Sequence, residues 1–254
     1  MAFLFIVITL ILIYNKNVNM IASIILLSLG AVMSAVFIVS KVINYSLKTI
    51  IFKTIASLFF VALGIYTFIA SGEGHLNLKI FLLLGLIFGM LGDVFLGFKY
   101  ITTKTKNVWI LLGMFAFALG HISYILGLFL EFYVPGNMLF LFLPFVTALG
   151  ISFIYLVIAR RVGINFGKMF PFGIFYLLCL TTMLSTALYM SILHGFTLVT
   201  LIMFFSGAIC FATSDFMLTG AYFKPGARPK AYMATYSVFY YLAQFIIAFS
   251  LFFL

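Results

Sequence analysis

The sequence predicts an all-α protein, a polytopic transmembrane helical bundle, and three observations predict it. Of 254 residues, 66% are hydrophobic and 7% charged, where an ordinary soluble domain carries about 25% charged residues. The apolar residues come in blocks, most of them long enough to cross a ~30 Å hydrocarbon layer, which takes about 20 residues of helix. These blocks are apolar on every side, whereas a membrane barrel needs short strands of alternating polarity. With a mean hydropathy of +1.34, no water-soluble fold can hide this surface.

Nine apolar runs follow one another at 2–14, 20–40, 50–70, 80–98, 108–130, 138–158, 171–191, 196–221 and 232–254. The last eight are long enough to span. The first is short, but it has no basic leader and no A-x-A-like cleavage site before Asn15-Lys16-Asn17, so it reads as a retained, separate N-terminal helix rather than a signal peptide. No linker or low-complexity stretch divides the chain, and residues 1–254 read as a single transmembrane helical domain.

The net charge of +10 would point to nucleic acid in a soluble protein, but here the bases sit between apolar runs, where they act as topology signals and contacts for anionic lipid. Alternate gaps hold Lys41 and Lys48; Lys99, Lys104 and Lys106; Arg160, Arg161 and Lys168; and Lys224, Arg228 and Lys230. The other gaps hold only Lys16 and Lys79, together with Glu73 and Glu131. The positive-inside rule therefore places the first set in the cytoplasm and the C-terminus outside, for a multi-pass protein of the cell membrane. Cys179 and Cys210 lie within apolar runs, where thiols pack as small hydrophobes.

A faint internal repeat appears when Asp93 is laid over Asp215. Gly85 then falls on Gly207, Gly92 on Ser214 and Leu96 on Leu218, and Phe117–His121 resembles Tyr240–Gln244 with a one-residue offset. Both stretches run in the same direction, which suggests two parallel four-helix halves.

Asp93 and Asp215 are the polar residues that do not belong in lipid. Each lies five or six residues from the cytoplasmic end of its run, roughly 8–9 Å deep at 1.5 Å per residue. An ionisable group there is costly unless it faces a cavity or a partner. Gly85, Gly89, Gly92 and Asp93 share one helical face, as do Gly207, Phe211, Ser214 and Asp215, so a packing seam with an Asp as interhelical glue is the bland alternative. Lys53, His121, Tyr124, Tyr240 and Gln244 enter the same half of the bundle, and Ser214 flanks the second acid. A zinc site on Asp93, Asp215 and His121 is under-supplied in ligands, and no nucleophile elbow, P-loop or dinucleotide fingerprint is present; the chemistry calls for no cofactor.

Two carboxyl groups in one low-dielectric pocket cannot both ionise cheaply, which leaves one general acid and one base. Just beneath the headgroups, such a pair reaches water on one side and a lipid tail on the other. Hydrolysis near a lipid headgroup is the chemistry this implies.

The residues also carry a resemblance. Leu91-Gly92-Asp93-Val94-Phe95-Leu96, Gly113-x-x-x-Phe117-Ala118-x-Gly120-His121-x-x-Tyr124, Gly207-Ala208-x-x-Phe211-x-x-Ser214-Asp215-x-x-Leu218 and Tyr240-Tyr241-Leu242-Ala243-Gln244 resemble the YhhN-like lysoplasmalogenase family over about residues 40–250. The Phe52-Lys53 helix is similar to the family's early lysine helix, without the proline expected after the lysine. The resemblance implies hydrolysis of the vinyl ether bond of lysoplasmalogens, with Asp93 and Asp215 catalytic. It implies a lysophospholipid partner beside membrane lipids; Lys53, with the basic loops, would hold the phosphate, while His121, Tyr124, Ser214, Tyr240 and Gln244 orient the acids or line the cavity. Two other readings stay open on the residues alone: a proton-coupled transporter, for which paired acids and parallel repeats are equally expected, and a lipid-binding membrane protein.

Overall fold

A computed structural model describes residues 2–99, 101, 103–226 and 228–254, with side chains described from residue 19 onward except that of residue 103. The described residues form eight long helices: α1 (Ala2–Ile43), α2 (Leu47–Ala70), α3 (Leu76–Phe98), α4 (Lys106–Phe132), α5 (Leu139–Arg161), α6 (Phe170–Leu193), α7 (Val199–Phe223) and α8 (Lys230–Ser250). All eight contain a stretch long and apolar enough to cross a membrane, and no strand occurs among the described residues.

The separate N-terminal helix does not exist as such. The backbone runs from Ala2 to Ile43 in one helix, straight through Asn15-Lys16-Asn17. Three polar residues weaken a helix by only a few tenths of a kcal/mol each. Breaking it takes a proline or a glycine, and the first of either in the chain is Gly30. A helix of 42 residues is roughly 63 Å long at 1.5 Å per residue, and its candidate span is Asn19–Ile43.

The remaining boundaries follow local chemistry. The Thr49 hydroxyl accepts the Ser46 N–H at 3.2 Å and so starts α2. Pro171 enters α6 at its first turn, where a missing N–H costs nothing. Arg160 and Arg161 end α5, and Lys79, expected in a loop, is instead buried in the first turn of α3 with Nζ 2.6 Å from the Gly72 carbonyl.

The packing scheme repeats between the halves. α1 lies on α2 as α5 lies on α6, and α2 on α3 as α6 on α7. The broadest contacts are α3 with α4 and α7 with α8, and the halves cross-connect through α4 on α6 and α8 on α2. Small residues make the α3–α4 approach possible: a Cβ on Gly85 would strike the Tyr124 ring, and one on Gly92 would lie 2.6 Å from Phe117. α5 is the most peripheral helix, with Phe142, Phe145, Val146 and Phe153 all exposed, as expected of a surface bathed in hydrocarbon. The α1–α2, α3–α4, α5–α6 and α7–α8 connections share one end of the bundle, and eleven bases gather there.

Candidate active site

The glycine stripe of α3 makes room for the first acid. Gly89 admits the Gln244 amide, which would lie 2.5 Å from a Cβ at that position, and one turn later Asp93 is buried at 2% exposure. Its Oδ1 pairs with Lys53 Nζ at 2.8 Å. Its Oδ2 accepts the Ser57 hydroxyl at 2.5 Å and the Tyr240 hydroxyl at 2.7 Å. Lys53 and Ser57 stand one turn apart on α2, so a single helix face supplies both. A cation and two hydroxyl donors satisfy an ionised carboxylate. Behind them, Gln244 Nε2 donates to Tyr240 Oη at 3.0 Å, and Tyr124 Oη donates to Gln244 Oε1 at 3.4 Å.

The second acid is served differently. Asp215 is 6% exposed, and its Oδ2 accepts a short hydrogen bond from the Tyr176 hydroxyl of α6. That hydroxyl lies 3.3 Å from His121 Nε2. The imidazole packs edge-on against Phe211 with centroids 4.8 Å apart, and its Nδ1 is buried with no hydrogen-bond partner among the described residues. No cation lies within ion-pair distance of Asp215 among the described residues. Ser214 turns from its neighbour and donates to the Tyr236 carbonyl at 2.8 Å.

Both acids line one cavity of about 390 Å³, mouth included, at the basic end of the bundle. Lys41, Lys53, Ser214 and Tyr240 share this polar chamber. Asp215 also lines a second chamber of about 580 Å³, mouth included, walled by aromatic and aliphatic side chains of α4, α5, α6 and α7, among them Leu177 and Phe216, and by Phe166 of the α5–α6 connection. Leu96, Phe117, Leu218 and Tyr222 belong to both walls, so the two spaces adjoin along α7. Asp215 is the carboxylate that faces both.

Of the residues singled out in the sequence, Asp93, Asp215, Lys53, Ser214 and Tyr240 come together around the polar chamber. His121, Tyr124 and Gln244 do not reach it. They line a small void of about 140 Å³ further in and touch the acids only through tyrosine hydroxyls. Sequence reasoning missed Ser57 and Tyr176, which donate to the acids, and Lys41, which lines the chamber. Counted from the helix starts, Phe175-Tyr176 occupies the place in α6 that Phe52-Lys53 holds in α2, whereas the sequence register that lays Asp93 on Asp215 puts Lys53 on Phe175, one residue short of Tyr176.

Beside the mouth, the Lys99 ammonium lies 2.9 Å from the centroid of the Tyr222 ring. Burial, then the nearby charges of Lys53, Lys41 and Lys106, push its amine well below the ordinary lysine value. The cations on this side are thus close enough to feel one another.

The YhhN family model matches residues 48–251, and the chain belongs to that family. Comparisons with curated proteins and with solved structures gave no match.

Proposed function

We propose that this YhhN-family protein is a membrane-embedded hydrolase that cleaves the vinyl ether bond of lysoplasmalogen-type lysophospholipids, releasing a fatty aldehyde and a glycerophospho-headgroup. The observation that carries the reading is the placement of two unlike carboxyl groups on one cavity, one of them also facing a chamber whose apolar lining suits a lipid tail. Family membership supports the hydrolase class.

The two environments assign the roles. Asp93, held by Lys53, Ser57 and Tyr240, is the fixed carboxylate. Asp215, without a cation, is the group that carries the transferable proton. An enol ether lying past Asp215 takes that proton on its β-carbon, and the positive charge develops on the ether oxygen and the adjoining carbon. The Asp93 carboxylate and the newly ionised Asp215 stabilise that cation. Water adds to the carbon and returns a proton to Asp215, giving a hemiacetal. Collapse of the hemiacetal moves its hydroxyl proton to the glycerol oxygen and frees the aldehyde. One water is consumed, and both carboxyl groups end as they began.

In this arrangement the basic loops and the polar chamber face the cytoplasm, in keeping with the positive-inside rule. The test is aldehyde release by purified protein in detergent micelles. We expect release from lysoplasmalogen, lost in Asp93→Asn and Asp215→Asn. No aldehyde from the wild-type protein, combined with proton-linked solute movement in proteoliposomes, would replace the hydrolase by a transporter.

A further inference from the structure

Lys41 has no role of its own so far: it precedes the stretch matched by the family model, and in the sequence it counted only as one of the basic-loop charges set beside Lys53. It nevertheless lines the polar chamber with Asp93 and Asp215. One of its three N–H groups goes to Ser237 Oγ at 2.7 Å, while the Ser237 hydroxyl hydrogen goes to the Met233 carbonyl at 2.9 Å, so this serine acts toward Lys41 purely as an acceptor. The ring of Tyr236 lies 4.0 Å from the ammonium and that of Phe37 5.6 Å. Among the described residues no carboxylate pairs with Lys41, whereas Lys53 is engaged by Asp93.

From this arrangement, and resting on the lysolipid-hydrolase reading above, we propose that Lys41, rather than Lys53, is the phosphate-binding group of the site: it holds the phosphate of a lysophospholipid headgroup in the polar chamber while the single chain lies in the adjoining apolar chamber past Asp215. Three features carry it. The ammonium makes one of the three hydrogen bonds it can donate, and a charge-assisted bond from it to a phosphate in the chamber is strong. The ring of Tyr236, where a quaternary ammonium would stack, is already covered by Lys41, so the chamber suits the anionic part of a headgroup and not its cation. The two chambers share Asp215, Leu218 and Tyr222, so a molecule with a phosphate at one end and one apolar chain at the other fits both.

The test compares two substrates with the same alkenyl chain, a lysoplasmalogen and the phosphate-free 1-O-alkenylglycerol, in the wild type, Lys41→Met and Lys41→Arg. We expect the kcat/KM ratio of the phosphate-bearing to the phosphate-free substrate to fall at least about tenfold in Lys41→Met, through KM, and to recover to within about threefold in Lys41→Arg. An unchanged ratio, with both substrates losing rate equally, would reduce Lys41 to a tie between α1 and α8 and overturn the proposal. If the wild type cleaves neither substrate, the hydrolase reading fails by itself. The phosphate site is then read from binding of a saturated ether lysophospholipid, which Lys41→Met should weaken about tenfold relative to the matching alkylglycerol. Inorganic phosphate alone stabilising the wild type as well as that lipid does would mean a free anion is the ligand and would overturn the lipid-borne assignment.

Discussion

The two halves of the bundle present their acids from the same register and with different chemistry. Lys53 lies six residues after Leu47, the first residue of α2, and Tyr176 six after Phe170, the first of α6; each reaches the acid of the next helix. Tyr240 and Gln244 back Asp93, while His121, the counterpart of Gln244 by repeat, reaches Asp215 through Tyr176, and Phe117, the counterpart of Tyr240, lines both chambers. The two lysines that line the polar chamber, Lys41 and Lys53, and Lys99 beside its mouth over Tyr222, all come from the first half. The second half supplies Tyr155, Phe166, Tyr176 and Phe216 to the apolar chamber. One scaffold, used twice, has become a cationic side suited to a headgroup and an aromatic side suited to a tail, with the less encumbered acid on the seam.

The sharpest way to break this comparison is to remove the acid that faces both chambers. Asp215→Asn keeps the shape and the Tyr176 contact but cannot give up a proton, and aldehyde release should fall by about 10²–10⁴ with the helical fold retained in circular dichroism. Giving the second half the first half's partner tests the same idea from the other side. Tyr176→Lys places a cation where Asp215 meets a hydroxyl, so the acid becomes a second fixed carboxylate and the rate should drop about 10²-fold. Full activity in that variant would mean the partners do not set the roles.

The Lys53–Asp93 pair should show in stability. Lys53→Met leaves a buried carboxylate without its cation, a cost of about 3–5 kcal/mol when one member of such a pair is lost. Adding Asp93→Asn should restore much of the thermal unfolding midpoint in detergent, because a neutral amide needs no counter-charge. If the double variant is no more stable than the single, the pair is not what holds α2 to α3 at this level.

Much of this layout was legible in the residues, and the rest was hidden for physical reasons. Composition and block length fixed eight spanning helices, because nothing but a membrane accommodates them. Asp93 and Asp215 stood out because a carboxyl in hydrocarbon is costly without a partner. Tyr176 did not, since a helix apolar on all sides carries no periodicity to say which face turns inward, and a tyrosine in such a helix looks like any other aromatic. The depth of His121 and Gln244 was hidden likewise: one helical turn separates a residue that lines a cavity from one that supports its wall. Lys41 was legible as a charge but not as a site residue, because its side chain runs back along α1 into the bundle while its position suggests the loop. The polar Asn15-Lys16-Asn17 suggests a break in α1 that the backbone does not make, because polarity alone does not end a helix.

The smallest effect belongs to Lys99, at the edge of the cationic side. Its amine is held well below the ordinary lysine value, first by burial and then by Lys53, Lys41 and Lys106. In the unfolded chain it titrates near 10.5. Between the lowered folded value and the ordinary one, the unfolded state binds more protons than the folded state, so the Lys99 contribution makes stability rise with pH across that window. Below the window both states are charged, the cost of the buried charge is present in full, and the slope vanishes. The unfolding midpoint of the wild type, followed in detergent from neutral to alkaline pH, should therefore climb relative to that of Lys99→Met, which lacks the titrating group. Parallel curves for the two proteins would mean that Lys99 keeps its ordinary protonation in the fold, and that the cations of the first half lie too far apart to act as one field.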